Sequence, residues 1–201
     1  PSVSVTYAQT GASMRANALG MRPMQERAYQ KRGEQYLLIK SPPASGKSRA
    51  LMYIALDKLH NQKIKQAIII VPEKTIGASF HDEPLSASGF WADWKVELRW
   101  NLCDSPGTED GGKVEALKKF LESGDRTLVC THATFRFAVE RFGVEIFDDR
   151  LIAVDEFHHV SASPDSKLGD HVRQFMARGK THLVAMTGSY FRGDAAAVLH
   201  P

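Results

Sequence analysis

The chain has 201 residues, 43% of them hydrophobic and 24% charged, which suffices for one domain with a real core. A net charge of +3 is too small to argue for nucleic-acid binding by itself, and the two cysteines, Cys103 and Cys130, cannot build a disulfide framework, so a reducing, cytoplasmic setting is expected. No apolar run approaches the about 18–20 residues of a membrane span, and PSVSVTYAQT lacks the layout of a signal peptide, so a membrane protein and a secreted mini-protein are excluded.

The first 20 residues are small and polar and are expected to form a loose arm, with one domain over residues 21–201. Pro23 sits where a helix can begin, because the N–H it lacks would be unpaired in a first turn anyway. Tyr36-Leu37-Leu38-Ile39 is an apolar run that stops at Pro42-Pro43 and reads as a buried strand. Leu51, Ile54, Ala55 and Leu59 then fall on one helical face. Ala67 to Val71 is β-branched and continuous, as a strand buried on both faces requires. Trp94, Val96, Leu98 and Trp100 alternate with Lys95, Glu97, Arg99 and Asn101, a period of two that predicts an edge strand. The three tryptophans Trp91, Trp94 and Trp100 beside Lys95 and Arg99 could also stack on single-stranded nucleic acid, but packing is the simpler reading.

Helical stripes at Val114–Leu121, Phe135–Phe142 and Leu168–Met176 alternate with apolar runs at Thr127–Cys130, Leu151–Val154 and His182–Met186. Strands alternating with helices predict an α/β fold, a mainly parallel sheet with helices on both faces.

Ser41-Pro42-Pro43-Ala44-Ser45-Gly46-Lys47-Ser48 lies between a strand and an amphipathic helix. A loop that feeds a helix N-terminus aims backbone N–H groups at phosphates. Lys47 can reach terminal phosphates, and the Ser48 hydroxyl can ligate Mg²⁺. The bland reading is a helix start with an exposed lysine; the order strand, loop, helix favours the phosphate loop. Asp155 and Glu156 follow the Leu151–Val154 strand, at the carboxyl edge where open α/β sheets bind ligands. There Asp155 can hold Mg²⁺ and Glu156 can activate water. The alternative is an acidic turn at the sheet edge. His158 and His159 lack partners at metal-ligand spacing, so His158 is assigned a hydrogen-bonding role beside the phosphates. His60, His81, His171 and His182 show no evident partners in the sequence.

The order of these motifs resembles the superfamily 2 helicases and translocases of the DExH kind, and within them the restriction-enzyme branch. Met21-Arg22-Pro23-Met24-Gln25, with Ala28, is similar to their Arg-Pro-x-Gln segment, and the resemblance implies that Arg22 and Gln25 bind nucleotide, Gln25 reading adenine. Pro43, Ala44, Ser45, Gly46, Lys47 and Ser48 fall in motif I. Val71-Pro72-Glu73-Lys74 resembles motif Ia and Thr131-His132-Ala133-Thr134 motif Ib, which implies that Pro72, Lys74, Thr131 and Thr134 contact a nucleic-acid backbone. Asp155-Glu156-Phe157-His158 is the DExH box. Thr187 to Asp194 resembles motif III, with Gly188, Ser189 and Tyr190 in place of Ala, Thr and Pro. His158, Thr187 and Ser189 are thereby implied in coupling hydrolysis to movement.

The resemblance implies a RecA-like P-loop NTPase domain whose motif III strand lies between the strands of motifs I and II. It implies ATP and Mg²⁺ as cofactors, with Lys47, Asp155 and Glu156 catalytic and Ser48 and Asp155 at the metal. Nucleic acid, DNA by the restriction-type likeness, is the implied partner, together with a second RecA-like lobe in a longer chain. The competing function is a P-loop module that binds nucleotide without unwinding.

Overall fold

Six parallel strands form one sheet in the order β1-β2-β6-β5-β3-β4. The strands are β1 (Ser2–Thr6), β2 (Tyr36–Lys40), β3 (Ala67–Val71), β4 (Thr127–Thr131), β5 (Leu151–Val154) and β6 (His182–Thr187). Among the described residues five α-helices accompany them: α1 (Pro23–Gln30), α2 (Lys47–Asn61), α3 (Asp110–Glu122), α4 (His132–Phe142) and α5 (Lys167–Arg178). This computed structural model describes residues 2–6, 16–42, 46–72, 80–103, 110–157 and 167–188.

The strand period separates two cores. Leu37, Ile39, Ile69, Val71, Ala153, Val184 and Met186 face α1 and α2. Leu38, Ile68, Ile70, Ile152, Val154, Leu183 and Ala185 face α3, α4 and α5. Both faces of each central strand are therefore dry, and each fully buried Ile contributes about 1.5–3 kcal/mol. The alternation expected from sequence thus yields an α/β fold with helices on both faces.

Local chemistry sets the helix ends. Arg22, before Pro23, is extended at φ −68° and ψ 162°, as a residue preceding proline prefers. Thr131 caps α4, its side chain accepting from the Thr134 N–H. Gly179 follows α5 at φ +71°, a left-handed stop that glycine enters without a Cβ clash. Among the described residues no helix is long and apolar enough to cross a membrane.

Two expectations are corrected. The loose arm is ordered in part: Ser2–Thr6 pairs in parallel with Tyr36–Lys40 and extends the sheet. Val3 and Val5 alternate with Ser2 and Ser4, and the two valines pack on the first core. The Trp94–Trp100 segment is not an edge strand. Trp94 makes one isolated bridge to Glu83, and Leu98–Trp100 is a 3₁₀ turn that leaves Leu98 72% exposed. The alternation arises because Trp94 and Trp100 enter opposite cores, where their indole N–H groups donate to the Phe80 carbonyl and the Asp125 carboxylate. Burial of both rings leaves only Trp91 substantially exposed, so the three do not form a stacking platform.

Candidate active site

The loop after β2, the start of α2, the end of β5 and the end of β6 meet at the carboxyl edge of the sheet. Gly46 is the N-cap of α2 in the left-handed conformation, at φ +84°. A Cβ there would come within 2.5 Å of Gln25 Nε2, so both backbone and space demand glycine. Gln25 is 2% exposed. Its amide N donates to the Gly46 carbonyl at 3.0 Å, and its amide O accepts from the Arg22 N–H at 2.8 Å. The segment before α1 is thereby fastened to the phosphate-loop residue that opens α2.

Lys47, the first residue of α2, directs its ammonium between two carboxylates. It pairs with Glu156 Oε1 and stands 3.3 Å from Asp155 Oδ1. Asp155 is 2% exposed. Burial raises its carboxyl above the usual carboxylate range; Lys47 pulls the other way and Glu156 adds to the rise. Gly188, just after β6, closes the group: a Cβ on it would lie 3.2 Å from Lys47 Nζ and 3.5 Å from Glu156 Oε1.

The backbone around the acids is tightly held. The Asp155 N–H donates to the Ile70 carbonyl at 2.8 Å, and the Phe157 N–H to the Met186 carbonyl at 2.8 Å. Glu156 between them has φ +52°. For a glutamate this left-handed conformation costs about 1–3 kcal/mol. The Glu156 N–H donates to Asp155 Oδ1 at 2.9 Å, and the Asp155 carbonyl accepts from His132 Nε2 at 2.9 Å.

The sheet order assembles the residues expected from sequence. β6 lies between β2 and β5, so Thr187 pairs with Lys40 while Val154 pairs with Ala185. Thr187 is buried, and its carbonyl accepts from the Ser41 N–H at 3.0 Å. Gln25, Arg22, Gly46, Lys47, Asp155, Glu156 and Thr187 all fall in or beside this cluster. Ser48 is half-buried in the first turn of α2, and Pro72 is half-buried at the end of β3. Thr131 and Thr134 lie at the β4–α4 corner, with their hydroxyl oxygens 3.2 Å apart. Thr134 is 3% exposed and belongs to the cap, so Thr131, His132 and Ala133 present this corner to solvent. Pro43, Ala44, Ser45, Lys74, His158 and Ser189 lie outside the described residues.

Two residues of the cluster were missed in the sequence. His132 gave no signal because its partner is a backbone oxygen two strands away. Gly188 stood out only as a departure from motif III, and its value is the absence of a side chain against Lys47. A third correction concerns His182, which does have a partner: Lys58 Nζ at 2.7 Å, at the opposite edge of the sheet.

The donor set fits Mg²⁺. Asp155 supplies a buried carboxylate that a cation would relieve, and Ser48 supplies a hydroxyl; both are the hard oxygen ligands magnesium takes.

A parallel sheet with a lysine at a glycine-capped helix start, facing paired acids at the end of the next strand but one, defines the P-loop NTPase class. The sequence pattern of the DEAD/DEAH box helicases matches residues 22–193, and the chain belongs to that family. It is 51% identical over 199 residues to the Bacillus subtilis (strain 168) protein named "Putative ATP-dependent helicase YeeB", covering 99% of this chain and 33% of that protein. The Pyrococcus furiosus Hef helicase domain is similar in fold, with a TM-score of 0.60 at 20% identity, over 85% of this chain and 33% of that one. The chain thus spans about a third of the length of the curated relative it matches.

Proposed function

We propose that this chain is the ATP-binding, RecA-like first lobe of an ATP-dependent DNA helicase or translocase of the cytoplasm. The observation that carries the reading is the Lys47 ammonium, set at the glycine-capped start of α2 between Asp155 and Glu156. ATP phosphates at this helix start would take over Lys47, whose charge complements theirs. Lys47 then neutralises the terminal phosphates, and Glu156, freed from the pair, orients and deprotonates the attacking water. Asp155 and Ser48 would hold Mg²⁺, which supplies charge neutralisation across the phosphates when bound. Gln25 retains one amide hydrogen and one carbonyl lone pair beyond its two bonds to the chain, and these are the groups that would read adenine.

The relative's additional length leaves room for a second RecA-like lobe. That lobe would close the cleft and supply an arginine, worth about 10³–10⁵ in rate. DNA is proposed over RNA on the likeness to the restriction-enzyme branch. Thr131 and the end of β3 at Pro72 lie along the sheet edge where the strand's backbone would run, with Lys74 proposed beside them.

The test is ATP hydrolysis by the full-length protein with and without DNA or RNA. The expected result is turnover raised by DNA, ATP binding lost in Lys47→Ala, and ATP binding kept with hydrolysis lost in Glu156→Gln. Turnover indifferent to both polymers would count against a translocase and leave the competing P-loop module without unwinding activity. Intact ATP binding in Lys47→Ala would overturn the phosphate assignment.

A further inference from the structure

We propose that His132 is a positioning residue for hydrolysis: it holds the Asp155–Glu156 peptide, and through it the left-handed Glu156, and so ties the water-activating carboxylate to the β4–α4 corner. The proposal rests on the reading of the site as an ATPase.

The Asp155 carbonyl and the Glu156 N–H belong to the same rigid plane. Rotation of that plane is what sets φ of Glu156, so whatever grips the plane sets the glutamate. It is gripped at both ends. The N–H donates to Asp155 Oδ1 at 2.9 Å, within the DExH box itself. The carbonyl is held from outside, by His132 Nε2 at 2.9 Å. A carbonyl only accepts, so the ring carries its proton on Nε2 and donates.

The plane needs an external hold because Glu156 sits at φ +52°. Without one, a turn of the plane would return the glutamate to negative φ, where non-glycine residues rest, and its carboxylate would swing away from Lys47. His132 is placed for this role by the sheet order: β3 lies between β4 and β5, so the ring reaches across the end of β3. It is also the residue after Thr131, the cap of α4 at the corner proposed to meet the nucleic-acid backbone. A shift of α4's first turn when the strand binds would move the ring and the peptide together. His132 thus acts through Glu156 and touches no reacting atom.

The experiment uses the full-length protein with three variants at this position. His132→Gln keeps an amide donor at about the reach of Nε2. His132→Asn is equally polar but too short, and His132→Leu has no donor. Steady-state hydrolysis is measured with and without DNA, alongside affinity for a fluorescent ATP analogue. The expected result is a kcat lowered about 10- to 100-fold in H132N and H132L, the range of a misplaced catalytic group. KM for ATP and analogue affinity stay within about twofold, because the phosphate grip is Lys47's, and H132Q recovers most of the rate. A second readout needs no turnover: in nucleotide-free protein with ¹⁵N-labelled histidine, His132 shows a protonated Nε2. Full-rate H132N and H132L, no recovery in H132Q relative to H132N, or an unprotonated Nε2 would each overturn the proposal while leaving the ATPase reading intact. A wild-type protein that hydrolyses no ATP, or a Lys47→Ala variant as active as wild type, would overturn the ATPase reading and this proposal with it.

Discussion

Helix α2 carries a lysine near each end, and the two are held in opposite ways. Lys47, at the start, faces two carboxylates, one of them on a backbone in a strained conformation. Lys58, a turn from the other end, is 0% exposed, and its hydrogen bonds run to neutral atoms. Its ammonium lies 2.9 Å from the Glu34 carbonyl, 3.4 Å from Gln62 Oε1 and 2.7 Å from His182 Nδ1. Burial pushes Lys58 down to about 8, with Asp57 and Glu34 opposing. Burial, and then Lys58, push His182 down to about 4, so the ring is neutral at pH 7 and its Nδ1 accepts.

On the proposed function, the difference separates a working group from a staple. Lys47's partners are negative, so an incoming polyanion can compete for the lysine while the acids pass to water or a cation. Lys58 joins α2 to the residues before β2 and to the start of β6, through the Glu34 carbonyl and His182 Nδ1. At the carboxyl edge of the sheet the left-handed Glu156 and the buried Asp155 face Lys47, and at the amino edge neutral oxygen and nitrogen atoms hold Lys58. Stability and activity are expected to separate along the same line.

The largest expected effect is at Lys47. Lys47→Ala should lower ATP turnover of the full-length protein by about 10²–10³-fold or more, the scale of removing a charge that stabilises a transition state. Steady-state kinetics check it, and near-normal turnover would break the contrast. Gly46→Ala should come next. Its methyl meets Gln25 Nε2 and forces a left-handed alanine, so unfolding free energy should fall by about 1–3 kcal/mol, with nucleotide affinity reduced. Chemical denaturation and a binding titration report the two losses separately.

Lys58→Met should do the reverse of Lys47→Ala. It strands the Glu34 carbonyl and His182 Nδ1, and should cost about 1–2 kcal/mol of stability. Nucleotide affinity should stay within about twofold of wild type; a large loss would show that the two ends of α2 are not independent.

A smaller effect is expected from pH. The folded value of His182 lies below its ordinary value near 6.5, so the unfolded chain binds the extra proton first. Its contribution is complete above pH 6.5 and is lost as pH falls through 4. Discounted for the solvent the half-buried ring still meets, it amounts to about 1 kcal/mol. Urea unfolding between pH 7 and 4 should therefore fall more steeply for wild type than for His182→Asn. Gly188→Ala closes the series. Its methyl meets the tip of a flexible lysine, so a stability change under about 1 kcal/mol is expected, with any deficit confined to ATP affinity.

Most elements were legible because each carries its own period. Ala67–Val71 is a strand wherever it stands, since five consecutive buried apolar residues suit both faces of a parallel sheet. The Trp94–Trp100 segment misled for the same reason: a period of two records which side chains are buried, and a chain wandering between two cores produces it without a ladder. Ser2–Thr6 had the right period, but was too short and too polar to be recognised as a strand without its partner β2.

The amino-acid sequence by itself determined the alternation of strands and helices, the glycine-lysine-serine helix start and the paired acids after an apolar strand. These depend on local propensity and on residue chemistry at short spacing. Only the tertiary structure decided that β6 enters between β2 and β5, which brings Thr187 and Gly188 against groups about 30 to 150 positions away. It also decided the left-handed Glu156, the His132 hold on the Asp155 carbonyl and the Lys58–His182 pair. Each of these is a contact between elements distant along the chain, or a backbone angle held by such contacts. Neither leaves a trace in composition or period, because no neighbouring residue takes part in it.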